Sequence, residues 1–229
     1  MFETGQRFHM IQRVSVSLCI GVSLSFLAAI PASRASDILV GRAVLPAGTF
    51  AEGPTSAQQL GTDPINGQSV PFVNKQPLQG FSAVHDNGDG TFWVMEDNGY
   101  GAIENSADFN LRVYKIRPHF KTKDGGSGRI DIEGFIEFHD PDNNIPFAIT
   151  NEFTHRRVLT GADFDIESFQ KAKDGSLWFG DEFGPFLLHT DATGKVLEAP
   201  VALPDFDNPG KKFARRRTRS AKKRLQPAL

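Results

Sequence analysis

From residue 91 onward the chain alternates short apolar runs with turn residues. Thr91-Phe92-Trp93-Val94-Met95, Leu111 to Ile116, Arg129 to Ile132, Phe135 to Phe138 and Ser176 to Phe179 are rich in aromatic and branched side chains. Gly, Asp, Asn and Pro bound them, which is the pattern of strands between tight turns. Several alternate with period two, and beyond the first 35 residues no window keeps an apolar stripe at helical spacing without Gly or Pro. Residues 37–77 read as one strand around Ile38-Leu39-Val40 followed by loops. The mature chain is therefore expected to be all-β.

The runs repeat. Shifting the chain by 85 residues lays Gly90-Thr91-Phe92-Trp93 on Gly175-Ser176-Leu177-Trp178, Asp97 on Glu182 and Gly99 on Gly184 without a gap. A strand unit that recurs at a fixed offset belongs to a repeat architecture, and 85 residues is about two propeller blades, or one blade with a long insertion. The expected fold is β-propeller-like. Residues 36–210 supply 175 residues, about four blades at 40 to 50 each, so an incomplete propeller is expected.

The first 35 residues differ in kind. Arg7 and Arg13 precede an apolar stretch from Val14 to Ile30, and Pro31-Ala32-Ser33-Arg34-Ala35 offers small residues for a signal peptidase. A signal peptide over residues 1–35, cut after Ala35, is expected, with a secreted or periplasmic product and no stable membrane span after cleavage. Intact mass of the exported chain reads the cut directly. Met10 is an alternative start. The one cysteine, Cys19, would leave with the signal, which removes disulfides and thiol nucleophiles from the mature chain.

Charge divides the remainder. Residues 36–210 hold 13 Lys and Arg against 26 Asp and Glu, a net charge of −13, whereas residues 211–229 hold nine Lys and Arg and no acid. An acidic body suits a divalent cation and argues against nucleic acid as a partner. The basic run reads as a solvated tail outside the 36–210 domain, the pattern expected where a frame shift or truncation has replaced the rest of a propeller.

Asp89-Gly90 and Asp174-Gly175 are turn signals that set strand register. The groups that follow each Trp strand, Glu96-Asp97-Asn98 in one copy and Asp181-Glu182 in the other, sit at strand ends where loops gather and ligands bind. Asp163-Phe164-Asp165-Ile166-Glu167 carries carboxylates at i, i+2 and i+4, which an extended chain puts on one face. Such oxygen donors suit Ca²⁺, which takes six to eight of them. Asp140-Pro141-Asp142 opens like an EF-hand loop but lacks its glycine and its terminal Glu, and no Gly-x-Ser-x-Gly or His-Glu-x-x-His motif occurs.

The blocks Gly80 to Val84, Trp93 to Gly101, Asn105 to Asp108 with Leu111-Arg112, Leu159 to Ser168 and Trp178 to Pro185, in this order, resemble the phytase-like family, also described as esterase-like activity of phytase. The resemblance runs from about Gly80 to Pro204. It implies an exported bacterial propeller acting on a small-molecule ester or phosphate ester, and a monomer is expected. In such a hydrolase Asp97, Glu167 and Glu182 would hold Ca²⁺, and Arg112 or Arg157 would clamp the substrate anion. The competing class is a non-enzymatic, Ca²⁺-binding propeller that serves as an interaction module. No catalytic residue is readable in either case.

Overall fold

The computed structural model describes residues 6–11, 38–205, 207, 208 and 210–212. The apolar run of the expected signal and the tail from residue 213 lie outside the described residues. The described chain is all-β. Its strands are β1 (Gln6–Ile11), β2 (Leu39–Leu45), β3 (Phe50–Glu52), β4 (Lys75–Pro77), β5 (Phe81–Asp86), β6 (Phe92–Glu96) and β7 (Arg112–Pro118). They continue as β8 (Lys121–Thr122), β9 (Ile130–Glu137), β10 (Ile166–Lys171), β11 (Leu177–Asp181), β12 (Phe186–Thr190) and β13 (Val201–Ala202).

Two four-stranded antiparallel sheets dominate, ordered β5-β6-β7-β9 and β10-β11-β12-β13. Each is a meander of neighbouring strands, interrupted in the first sheet only by β8, which leaves to pair with β2. Strands β1, β2 and β8 form a small sheet, and β3 pairs with β4. Among the described residues these sheets do not close into a ring. The two apolar runs on either side of Glu133-Gly134 form one strand, β9, rather than the two the sequence pattern suggests.

The 85-residue repeat is present in three dimensions down to single pairs. Phe81 faces Glu96, Ala83 faces Met95 and Asp86 faces Phe92, while 85 residues on Ile166 faces Asp181, Ser168 faces Gly180 and Lys171 faces Leu177. A bulge falls between Phe81 and Ala83 and again between Ile166 and Ser168. The turns match as well. Asp89 Oδ1 accepts the Thr91 N–H and hydroxyl at 2.9 and 2.5 Å, and Asp174 Oδ1 accepts those of Ser176 at 2.9 and 2.7 Å. Gly90 and Gly175 supply the positive φ, +82° and +89°, that these Asp-Gly turns need. The register then shifts, because Phe92 pairs with Ile116 whereas Leu177 pairs with Thr190. The loop after β6 is thus the longer one, and it carries Asp97 to Leu111.

The faces repeat too. Phe92, Val94 and Tyr114 of the first sheet pack on Leu45 and Leu78 of the N-terminal segment. Their counterparts in the second sheet, Leu177, Phe179 and Leu188, pack instead on Met95 and Val113 from the opposite face of the first. Each sheet therefore buries the same face on whatever precedes it in the chain. Strand β10 lies against β5 and β6, so the two sheets meet along their first strands.

Candidate functional site

The meander topology puts the start of β5, the end of β6, the start of β10 and the end of β11 at one end of the molecule. There the Asp97 N–H donates to the Gly80 carbonyl at 2.8 Å, and the Glu182 N–H donates to the Asp165 carbonyl at 2.9 Å. These bonds extend both hairpins past their bulges and bring Asp97, Asp165, Glu167 and Glu182 into one electrostatic neighbourhood. None of the four is ion-paired with a Lys, Arg or His among the described residues.

The loop after β6 fixes this geometry. The Gly99 N–H donates to Asp97 Oδ1 at 2.7 Å, the Gly101 N–H donates to Asn98 Oδ1 at 2.8 Å, and Asn98 Nδ2 donates to Asp165 Oδ2 at 3.1 Å. Asn98 thereby ties the first sheet to the second. Its backbone is backed by Gly161, where a β-carbon would collide with the Asn98 carbonyl. At Gly80, whose φ is +63°, a β-carbon would meet the Asp97 carboxylate and displace it.

Burial pushes the Asp165 carboxyl up to about 6, aided by repulsion from Glu167, Asp97 and Glu182 and opposed by a hydrogen bond from the Asn98 backbone. Burial also raises Asp97, against the Gly99 N–H and with Glu167 repelling it. Between the ordinary value of 3.8 and about 6, the native state holds a proton on Asp165 that the unfolded state has lost. Stability therefore falls as pH rises through that window and stays at the lower level above it. Asp165→Asn removes the penalty, so its melting temperature should exceed that of the parent at pH 7 without added metal. The gap should vanish below about pH 4, where the unfolded aspartate is itself protonated. A variant no more stable at pH 7 than the parent would show that the repulsion is screened away.

The other residues singled out in the sequence have structural partners. Asp163 does not share an extended face with Asp165 and Glu167, because residues 161–163 form a turn and β10 begins only at Ile166. Its buried carboxylate accepts the N–H and hydroxyl of both Thr150 and Thr160, at 2.7 to 3.0 Å. Asp181 is buried, accepting the N–H groups of Asp165 (2.8 Å), Phe183 (3.3 Å) and Gly184 (2.7 Å). Arg157 is buried on Asp140, with Nη2 at 3.1 Å from Oδ2. Arg112, 2 % exposed, donates through Nε and Nη2 to Glu137 Oε2 at 3.0 and 2.7 Å. Neither arginine presents a free fork to an anion.

The sequence reading places Glu96 and Asn98 at this strand end without giving either a role; Glu96 is the repeat counterpart of Asp181. Glu96 is fully buried, with Oε1 accepting the Gln79 N–H at 3.0 Å and Oε2 without a partner among the described residues. Burial pushes its carboxyl well above the usual range, opposed by the Gln79 N–H and the Arg112 charge. The signal lay in the 85-residue alignment, which sets Glu96 on Asp181, a buried end-of-strand acid.

For a divalent cation the donor chemistry fits better than the spacing. Asp97, Asp165, Glu167 and Glu182 offer hard oxygens that repel one another. Yet among the described residues no three His, Cys, Asp or Glu side chains stand close enough to hold a metal ion. No helix among them is long and apolar enough to cross a membrane.

Comparison with known proteins returns one family. Residues 76–221 match the family described as Phytase-like: Esterase-like activity of phytase, a span that includes both four-stranded sheets and all four clustered carboxylates. No curated protein and no solved structure matches the chain.

Proposed function

Since this chain belongs to the phytase-like family, we propose that it is an ester hydrolase whose reaction takes place at the shared end of the two sheets. The observation that carries the proposal is Asp165, half-buried between like charges with its carboxyl raised to about 6. A carboxylate poised there is ionised at neutral pH yet basic enough to take a proton from water, which is what a general base requires. Asn98 Nδ2 orients the Asp165 carboxylate, which would take that proton as the water oxygen attacks the ester. The ester bond then breaks, and the departing alcohol is protonated from solvent.

Asp97, Glu167 and Glu182, whose oxygens are the hard donors Ca²⁺ takes, are the residues that would hold such an ion. Such an ion neutralises a phosphate and acidifies a bound water. Asp165, beside these carboxylates, would remain the base. Cation binding would lower its carboxyl by cancelling the repulsion that raises it. The propeller reading belongs to the same proposal, supported by the 85-residue repeat and by sheets that bury one face in the same sense. An experimental structure in which β5 and β10 do not lie side by side would overturn it.

Hydrolysis of p-nitrophenyl acetate and p-nitrophenyl phosphate, followed across pH with and without Ca²⁺, tests the mechanism. The rate should rise through an apparent pKa of about 6, which Ca²⁺ shifts downward, and Asp165→Asn should abolish the rise. An unchanged profile in that variant would remove Asp165 from the reaction. A melting temperature that EDTA lowers, with neither ester turned over, would favour the Ca²⁺-binding interaction module instead.

A further inference from the structure

A second feature lies at the same end of the first sheet but on its other face. Pairing sets Arg112 opposite Glu137 and Tyr114 opposite Phe135, on the face that also carries Val94, whereas Asp97 follows the alternation of Trp93 and Met95. An open cleft of about 1020 Å³ lies there, between the β9 edge, the chain just after β3 and the loop holding Thr154, His155 and Arg156. Its size is that of a small-molecule site.

The floor is built and rigid. Arg112 is locked onto Glu137 and donates through Nη1 to the Glu52 carbonyl at 2.8 Å. Its guanidinium carbon stacks 4.0 Å from the centroid of the Phe135 ring. Phe135 is nevertheless 41 % exposed and lines the cleft, with the Tyr114 ring centroid 5.7 Å from its own. Glu137 Oε1 accepts from Arg156 at 3.1 Å, and Arg156 is itself largely exposed. The charged lining balances, Arg112 and Arg156 against Glu52 and Glu137, within a body of net charge −13.

We propose that this cleft binds a neutral saccharide. A pyranose ring offers a C–H face to an aromatic platform and hydroxyls that both donate and accept. Phe135 supplies the platform, the Glu137 carboxylate accepts, Arg156 donates, and the Thr193 oxygen, whose own proton goes to Asp191 Oδ1, accepts. An anion would meet two carboxylates here and find one arginine already consumed. The site is separate from the carboxylate cluster and does not depend on the hydrolytic proposal.

Isothermal titration of the full chain with cellotriose, maltotriose and chitotriose tests it. At least one should bind, Phe135→Ala should weaken that binding about tenfold, the equivalent of roughly 1.4 kcal/mol, and Phe135→Trp should preserve it. Asp165→Asn should leave the affinity unchanged, so that failure here and failure of the hydrolytic reading remain distinguishable. No heat with any of the three sugars, or binding that survives Phe135→Ala, overturns the proposal. So does binding of inorganic phosphate in their place that is lost in Arg156→Ala, which would make the cleft an anion site.

Discussion

Arg112→Ala should lower the unfolding free energy by about 3–5 kcal/mol, the loss that follows when one partner of a buried ion pair is removed. Burial pushes Glu137 up, but hydrogen bonds from Arg112 and Asn110 and the charges of Arg112 and Arg156 outweigh it and hold the carboxyl below its ordinary value. Without Arg112 the burial remains and most of the compensation goes. The Glu52 carbonyl loses its donor as well. Glu137 contributes stability that is present above its ordinary value of 4.5 and is lost as pH falls through the lower folded value. That acid-labile part should disappear with Arg112. Urea denaturation at pH 7 reads the main effect, and Arg112→Leu combined with Glu137→Leu should cost less than Arg112→Ala alone. A single variant within about 1 kcal/mol of the parent would mean that water reaches Glu137 and that the pair behaves as a surface one.

Phe179→Ala should cost a similar amount, about 3–5 kcal/mol, from lost burial and the cavity left behind. Phe179 is fully buried on β11, with its ring 4.5 Å from Phe138 and 5.8 Å from Phe169. These rings fill the seam between the sheets, so the cavity would open where the second sheet docks on the first. The Asn98–Asp165 bond crosses the same seam, and the raised carboxyl of Asp165 should relax toward its ordinary value as the sheets loosen. Calorimetry gives the stability and the pH–rate profile gives the carboxyl. A variant that loses stability while keeping the apparent pKa near 6 would show that the site is held by its loops alone.

Much of this was legible in the sequence because it depends on neighbours along the chain. Asp-Gly before each Trp strand fixed the turns, the turns fixed the register, and the register carried Asp97 and Glu182 to equivalent positions with the same bulge behind them. What was not legible depends on distant partners. Asp163 read as part of an extended strip because nothing local shows that Thr150 and Thr160 wrap its carboxylate into a turn. Arg112 and Arg157 read as anion clamps because their acids, Glu137 and Asp140, lie 25 and 17 residues away. Conversely, Arg156, beside the buried Arg157, looks the same in sequence and is the one left at the surface.

The sense in which the sheets pack has a consequence for synthesis. The first sheet buries its Val94 face on segments already made, and the second buries its Phe179 face on the first. Pairings within each sheet are mostly between sequence neighbours, so each can close quickly as it emerges. Assembly is thus vectorial: a nascent first sheet finds its support upstream, and the second finds a finished template waiting. A lesion in the N-terminal segment, at Leu45 or Leu78, would therefore be felt by both sheets in turn, whereas one in β12 would leave the earlier sheet standing.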